Sequence, residues 1–216
     1  MQIIIFGSPG VGKGTQAKIL ASKLGIAHIS TGDILREAIK KESELGKRAK
    51  AIVEKGELVP DDIMGGIILE VLKEDKCKNG FILDGFPRTI AQAKILDNIF
   101  AELYTEKPFI IKLNVDDNII IDRLTNRLVC NKCGNIIGKS EYEEDYICHV
   151  CKSTNSYYKR KDDDDEEVIK RRLKVYHETT AQVFDYYSDK TRVIEVDGTQ
   201  SIEGVTNKIL GMININ

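Results

Sequence analysis

The chain lacks an excess of positive charge: 32 Lys and Arg face 34 Asp and Glu. No overall basic field is therefore expected to hold a nucleic-acid backbone by counterion release, and any phosphate affinity must come from local clusters of arginine and lysine. It also lacks an apolar run of the ~20 residues needed to cross a bilayer. The segment Met1-Gln2-Ile3-Ile4-Ile5-Phe6 runs straight into glycines with neither a basic leader nor an apolar core of secretory length, so a cytoplasmic location is expected. Thiols in that compartment stay reduced, and of the five cysteines the four that are closely paired read as metal ligands rather than disulfides. No internal repeat is visible. The only low-complexity run, Asp162 to Glu167, reads as a solvated acidic helix start, where negative charge complements the macrodipole.

What is present has the size of one α/β domain with small insertions. Apolar runs at Ile3 to Phe6, Phe81 to Leu83, Phe109 to Leu113 and Val193 to Val196, with a weaker one at Ala27 to Ile29, have the length of buried strands, and helix-period stretches separate them. This alternation predicts a parallel sheet covered by helices on both faces, with the strands' carboxyl ends along one ligand-binding edge. Two segments break the alternation: 30–59, rich in charge and helix formers, and the cysteine-bearing 128–158. Both read as insertions into a core made of 1–29, 60–127 and 159–216.

Gly7-Ser8-Pro9-Gly10-Val11-Gly12-Lys13-Gly14-Thr15 follows the first strand and opens a helix, the setting that a phosphate-binding loop requires. Glycines let successive N–H groups turn inward, the helix start adds partial positive charge, and Lys13 supplies a mobile cation for the transferred phosphate. Gly10, Val11, Gly12, Lys13, Gly14 and Thr15 are the candidate triphosphate contacts. The general pattern puts Ser or Thr directly after the lysine, whereas here Gly14 intervenes.

With Gln16 added, this loop resembles that of the adenylate kinases within the nucleoside monophosphate kinases. Three further segments carry the resemblance: His28-Ile29-Ser30-Thr31-Gly32-Asp33-Ile34-Leu35-Arg36, Leu58-Val59-Pro60-Asp61-Asp62, and Gly80 through Thr89 with Gln92 a helical turn beyond Arg88. It runs nearly end to end. It implies a P-loop α/β fold with an AMP-binding insertion at 30–59 and a lid at 128–158, and the reversible reaction ATP + AMP = 2 ADP with Mg2+. The implied partners are ATP, AMP and ADP, with no nucleic acid and no membrane, and the implied state is a monomer. Thr31, Arg36, Glu57, Leu58, Val59, Gly85, Phe86, Pro87, Arg88, Gln92, Arg160 and Arg172 carry over as the AMP site. Arg123 and Arg127 carry over to ATP, and Gln200, in Val196-Asp197-Gly198-Thr199-Gln200, to its base.

Phosphoryl transfer needs two nucleotides held in line and charge neutralised on the equatorial oxygens. Guanidinium groups suit that task because they grip phosphate through paired hydrogen bonds and stay charged. The candidates are Arg36, Arg88, Arg123, Arg127, Arg160 and Arg172. Arg123 and Arg127 stand four apart in a segment read as a helix, Ile119 to Leu128, and are expected to share a face. Counting from Arg160 favours Arg171 near the transferred group; the family pattern Arg-Leu-x-x-Tyr, met at Arg172-Leu173-Lys174-Val175-Tyr176, selects Arg172. Asp84, ending an apolar strand, could hold magnesium through its waters, with Asp33 helping. The Gln92 amide can present a donor and an acceptor together to adenine.

Cys130-x-x-Cys133 and Cys148-x-x-Cys151 offer four soft ligands, which fit tetrahedral Zn2+ with no open position, a structural metal stapling the lid. His149 reads as an exposed bystander and Cys77 as an ordinary thiol. Rival readings are a kinase for another nucleoside monophosphate, a nucleotide sensor, and a zinc-ribbon nucleic-acid binder. Glu141, Glu143, Glu144 and Asp145 oppose the last by countering the nearby lysines.

Overall fold

The computed structural model describes residues 1–213 apart from 43, 56, 105, 144 and 160–164, so Arg160 and Glu144 lie outside the described residues. In chain order the elements are β1 (Gln2–Phe6), α1 (Lys13–Leu24), β2 (Ala27–Ser30), α2 (Thr31–Lys40), α3 (Glu44–Glu54), α4 (Asp61–Leu72), β3 (Phe81–Asp84), α5 (Ile90–Leu103), β4 (Phe109–Asn114) and α6 (Asp117–Thr125). They continue with β5 (Arg127–Cys130), β6 (Ile136–Gly138), β7 (Tyr157–Tyr158), α7 (Glu166–Val175), α8 (Ala181–Ser188), β8 (Val193–Asp197) and α9 (Ile202–Ile213). Each apolar run expected to be a strand is one. The main sheet has the order β2-β3-β1-β4-β8 and is parallel throughout.

The pleat explains why β1 is apolar along its whole length. Successive side chains point to opposite faces, so Ile4 and Phe6 join the core under α4, α5 and α8, while Ile3 and Ile5 join that under α1, α6, α7 and α9. Both faces are covered, as a parallel sheet demands. Ile4 is fully buried, and Ile4→Ala is expected to lower the unfolding free energy by about 2–5 kcal/mol, the range for deleting such a side chain from a packed core. A urea titration reads this as a lower midpoint at unchanged slope.

Helix starts follow the sequence. Ser30 Oγ accepts from Asp33 N–H at 3.2 Å to begin α2, Thr89 Oγ1 accepts from Gln92 N–H at 3.1 Å to begin α5, and Asp165 Oδ1 accepts from Glu167 N–H at 3.0 Å to begin α7. The acidic run thus caps α7 from Asp165 onward; Asp162 to Asp164 lie outside the described residues. No helix among the described residues is long and apolar enough to cross a membrane.

One local reading is corrected. Ile119 to Leu128 is not one helix: α6 ends at Thr125, and Arg127 opens β5. Thr125 Oγ1 donates to Ile121 O at 2.8 Å and Asn126 Nδ2 to Asp122 O at 3.1 Å, side-chain bonds that compete with helix continuation. The next residues are then taken by the antiparallel ladder Arg127↔Gly138, Leu128↔Ile137, Val129↔Ile136. Arg123 and Arg127 therefore share no helix face.

The second sheet, β6-β5-β7, and two loops form the cysteine-bearing unit. Its knuckles repeat one backbone pattern. Gly134 N–H donates to Cys130 O and Lys152 N–H to Cys148 O, at 2.9 and 2.8 Å, while Cys130 N–H donates to Asn135 O and Cys148 N–H to Ser153 O, at 2.8 and 2.9 Å.

Candidate active site

The loop after β1 is shaped by glycine at positions where another residue would fail. Gly10 has φ 84°, and a Cβ there would lie 2.7 Å from Leu124 Cγ on α6. Both the left-handed backbone and the close approach of α6 require its hydrogen side chain. At the loop's end Lys13 turns back, and its ammonium donates to the carbonyls of Gly7 and Ser8 at 2.8 Å each. Burial lowers its pKa to about 8, against the pull of the Asp84 carboxylate and with further lowering from Arg88 and Arg172. The folded protein therefore releases this proton near pH 8, whereas the unfolded chain holds it to about 10.5. Stability from this group rises with pH across that window.

Asp84 stands across from Ile5 and Ser30 in the sheet register. Its carboxylate lies 3.4 Å from where a Gly14 Cβ would stand and 3.7 Å from His28 Nε2. A hard oxygen donor at the mouth of the phosphate loop suits a hydrated magnesium ion. Asp33 is engaged differently, bonded to Arg36 Nη2 at 2.6 Å; burial pushes its carboxyl up, but this bond, the Arg36 charge, the Ser30 hydroxyl and Lys18 together hold it below the usual range.

Two cavities adjoin this edge. Thr31, Arg36, Glu57, Leu58, Val59, Gly85, Arg88, Gln92 and Arg172 all line the first. The second, beside Lys13, is lined by Phe86 and Pro87 and again by Leu58, Gly85, Arg88 and Arg172. Gly85 lets them meet: its φ is 86°, and a Cβ there would come 2.5 Å from Thr31 Oγ1 and 3.1 Å from Arg88 Nη2. Arg88 is held by its own turn, with Nε donating to Gly85 O at 2.7 Å. Arg172 lines both cavities, whereas the exposed Arg171 points away and donates to Lys55 O at 3.4 Å.

The remaining candidates sit apart from these cavities. Both terminal nitrogens of Arg123 donate to Gly198 O at 3.0 Å. Arg127 is half-buried at the start of β5, and Gln200 is exposed in the turn after β8. Sequence reasoning did not single out Val175 or Thr180 for the second cavity, and used Tyr176 only to fix a register. All three line it, at a five-residue π turn, Tyr176–Thr180, from which Thr180 Oγ1 donates to Arg88 O at 3.0 Å. No local composition signals such a turn.

In the cysteine-bearing unit the four thiol sulfurs lie within 4.8 Å of one another, with Cys130 to Cys151 at 3.7 Å and Cys133 to Cys148 at 3.6 Å. Sulfurs bound tetrahedrally at ~2.3 Å from zinc stand about 3.8 Å apart, so the set fits that ion. Donors that favour thiolate are in place. Ser156 and Ser153 hydroxyls sit 3.2 and 3.6 Å from Cys130, and Tyr157 OH donates to Cys148 at 3.3 Å. Against burial, such bonds hold Cys130 well below the usual thiol range. His149 is exposed, and Cys77 is buried with its thiol directed at Val71 O.

Two anion-receiving cavities that meet at the same pair of guanidiniums suit the passage of a phosphoryl group from one bound phosphate ester to another. On a parallel sheet with a glycine-rich loop and lysine after its central strand, that arrangement defines a P-loop phosphotransferase. The adenylate kinase family model matches residues 5–192. The chain is 43% identical to an adenylate kinase of Caldicellulosiruptor saccharolyticus over all of both chains. It is 46% identical to those of Chloroherpeton thalassium and Archaeoglobus fulgidus, in each case over 97% of this chain and 96% of the relative. It therefore belongs to the adenylate kinase family and is a nucleoside monophosphate kinase.

Proposed function

We propose that the two joined cavities divide the work of a reversible transfer between ATP and AMP, with Arg88 and Arg172 at the junction. The reaction is that of the family, ATP + AMP = 2 ADP. AMP occupies the first cavity, its base against Gln92 and Val59 and its phosphate toward Arg36 and Arg88. ATP lays its phosphates in the loop Gly10–Thr15 beside Lys13, with Arg123, Arg127 and Gln200 serving its outer part and Arg160 the transferred group. An AMP phosphate oxygen bonds to the γ-phosphorus as the bond from that phosphorus to the bridging β,γ-oxygen breaks. No proton moves. Charge on the equatorial oxygens is spread over Lys13, Arg88 and Arg172, which are fixed before reaction begins. Magnesium accompanying ATP would be held through its waters by Asp84, with Asp33 nearby, and would neutralise the β- and γ-oxygens.

The observation that carries this reading is that Arg88 and Arg172 line both cavities. Residues 30–59 close over AMP, and residues 128–158, stapled by zinc on Cys130, Cys133, Cys148 and Cys151, close over ATP and exclude water. The enzyme is a cytoplasmic monomer with neither nucleic acid nor membrane as partner, in keeping with its net charge of −2.

Mixing the protein with ATP, AMP and magnesium and following ADP by phosphorus NMR tests the assignment. Two ADP per AMP consumed, with UMP, CMP and GMP inert, supports it; turnover with a pyrimidine monophosphate alone overturns the acceptor assignment. Proton linkage gives a second test. A triphosphate restores the proton that burial removes from Lys13, so ATP binding is expected to take up about one proton at pH 9 and little at pH 7. Calorimetry in buffers of different ionisation enthalpy measures this, and no pH dependence of uptake would refute the role given to Lys13.

A further inference from the structure

Gln92 is only 2% exposed, and its side-chain amide is engaged from both ends. Its Oε1 accepts from Arg88 N–H at 2.7 Å, and its Nε2 donates to Asp61 Oδ1 at 2.8 Å. Asp61 is the first residue of α4. A primary amide has two N–H donors and two lone pairs, so one of each remains for a ligand in the cavity that Gln92 lines.

Rotating the amide by 180° would exchange these groups. Its nitrogen would face the Arg88 N–H, donor against donor, and its oxygen would face a carboxylate that only accepts. Two hydrogen bonds would become two repulsive contacts. The orientation matters because purines differ in the order of their groups. Adenine sets its 6-amino donor beside the N1 acceptor; hypoxanthine and guanine set a 6-carbonyl acceptor beside the N1–H donor, the reverse. A freely turning amide matches either edge, and a locked one matches a single edge.

We propose that Asp61, through Gln92, is a specificity-determining positioning residue that makes the acceptor site select 6-aminopurine monophosphates over 6-oxopurine monophosphates. The proposal rests on the reading of the first cavity as the AMP site. Asp61 itself touches no substrate.

The test measures kcat/KM for AMP and for IMP at saturating ATP in the wild type, Asp61→Asn, Asp61→Ala and Gln92→Ala. Asn retains a carbonyl acceptor for Gln92 but can also offer an N–H to a turned amide. Asp61→Asn should therefore stay within about threefold of wild type on AMP while gaining a few-fold on IMP, the remaining barrier being the Arg88 N–H that still opposes a turned amide. Asp61→Ala, which loses the acceptor, should fall about tenfold on AMP and narrow the AMP to IMP ratio by at least that factor. KM for ATP should not move. Equal losses on AMP and IMP in Asp61→Ala, with no gain on IMP in Asp61→Asn, would mean that Asp61 only supports α4, and the proposal is overturned. Gln92→Ala separates the two levels: an unchanged KM for AMP would overturn the site assignment itself. A raised KM there, with the AMP to IMP ratio unmoved in both Asp61 variants, overturns the lock alone.

Discussion

Lys13→Met is expected to lower kcat roughly 10³-fold while the protein stays folded, because it deletes a preorganised cation at the place where charge develops. The substitution keeps the length of the apolar stem and removes only the ammonium, which in the unliganded protein rests on two carbonyls of its own loop. Burial already disfavours that charge. A neutral side chain therefore carries no penalty below pH 8, and the midpoint of thermal unfolding should hold or rise slightly. The KM for AMP should change far less than kcat if AMP occupies the other cavity, as proposed. Steady-state kinetics with parallel calorimetric melting decides the matter; a rate loss accompanied by a comparable loss of folded protein would show a structural role instead.

Removing the zinc proposed for the four cysteines should have the second largest effect. The unit formed by β5, β6, β7 and the two knuckles has few fully buried side chains, chiefly Val129, Cys130, Ile137 and Cys148. A core so small does not hold itself together without a staple. Treatment with a zinc chelator, or Cys148→Ala, is expected to leave the main sheet folded by circular dichroism and to open residues 128–158 to protease. Transfer to AMP should slow about 10²-fold, and the share of ATP lost to water should rise. Full activity after verified removal of the metal would contradict a lid that depends on it.

Much of this was readable from the chain because the informative residues are local. Ile3-Ile4-Ile5-Phe6 can only be a strand buried on both faces, and the loop that follows declares its purpose by its position between strand and helix. The two Cys-x-x-Cys pairs predict their cluster because each pair is brought together by one turn. Failures arose where a decision is made by partners distant in sequence. Arg127 has acceptable helix neighbours, and only pairing with Gly138 draws it into a strand. Between Arg171 and Arg172 spacing alone gives no answer, since it depends on how α7 is rolled against the sheet, but the Arg-Leu-x-x-Tyr pattern selects Arg172, which lines both cavities. In the sequence Asp61 counted only as part of the Leu58-to-Asp62 segment that carries the family resemblance. Its bond to Gln92 spans 31 positions and leaves no trace in local composition.

The phosphate loop leaves β1, and the segment bearing Asp84, Gly85 and Arg88 leaves β3, its hydrogen-bonded neighbour, with Ile5 opposite Asp84. Adjacent strands are held about 4.8 Å apart by the backbone itself. The points from which the two segments spring are thus spaced by the peptide ladder, as by a ruler that no side chain adjusts. Residues further along each segment can drift, while the footing of the phosphate loop beside that of Asp84, Gly85 and Arg88 changes only if the sheet comes apart.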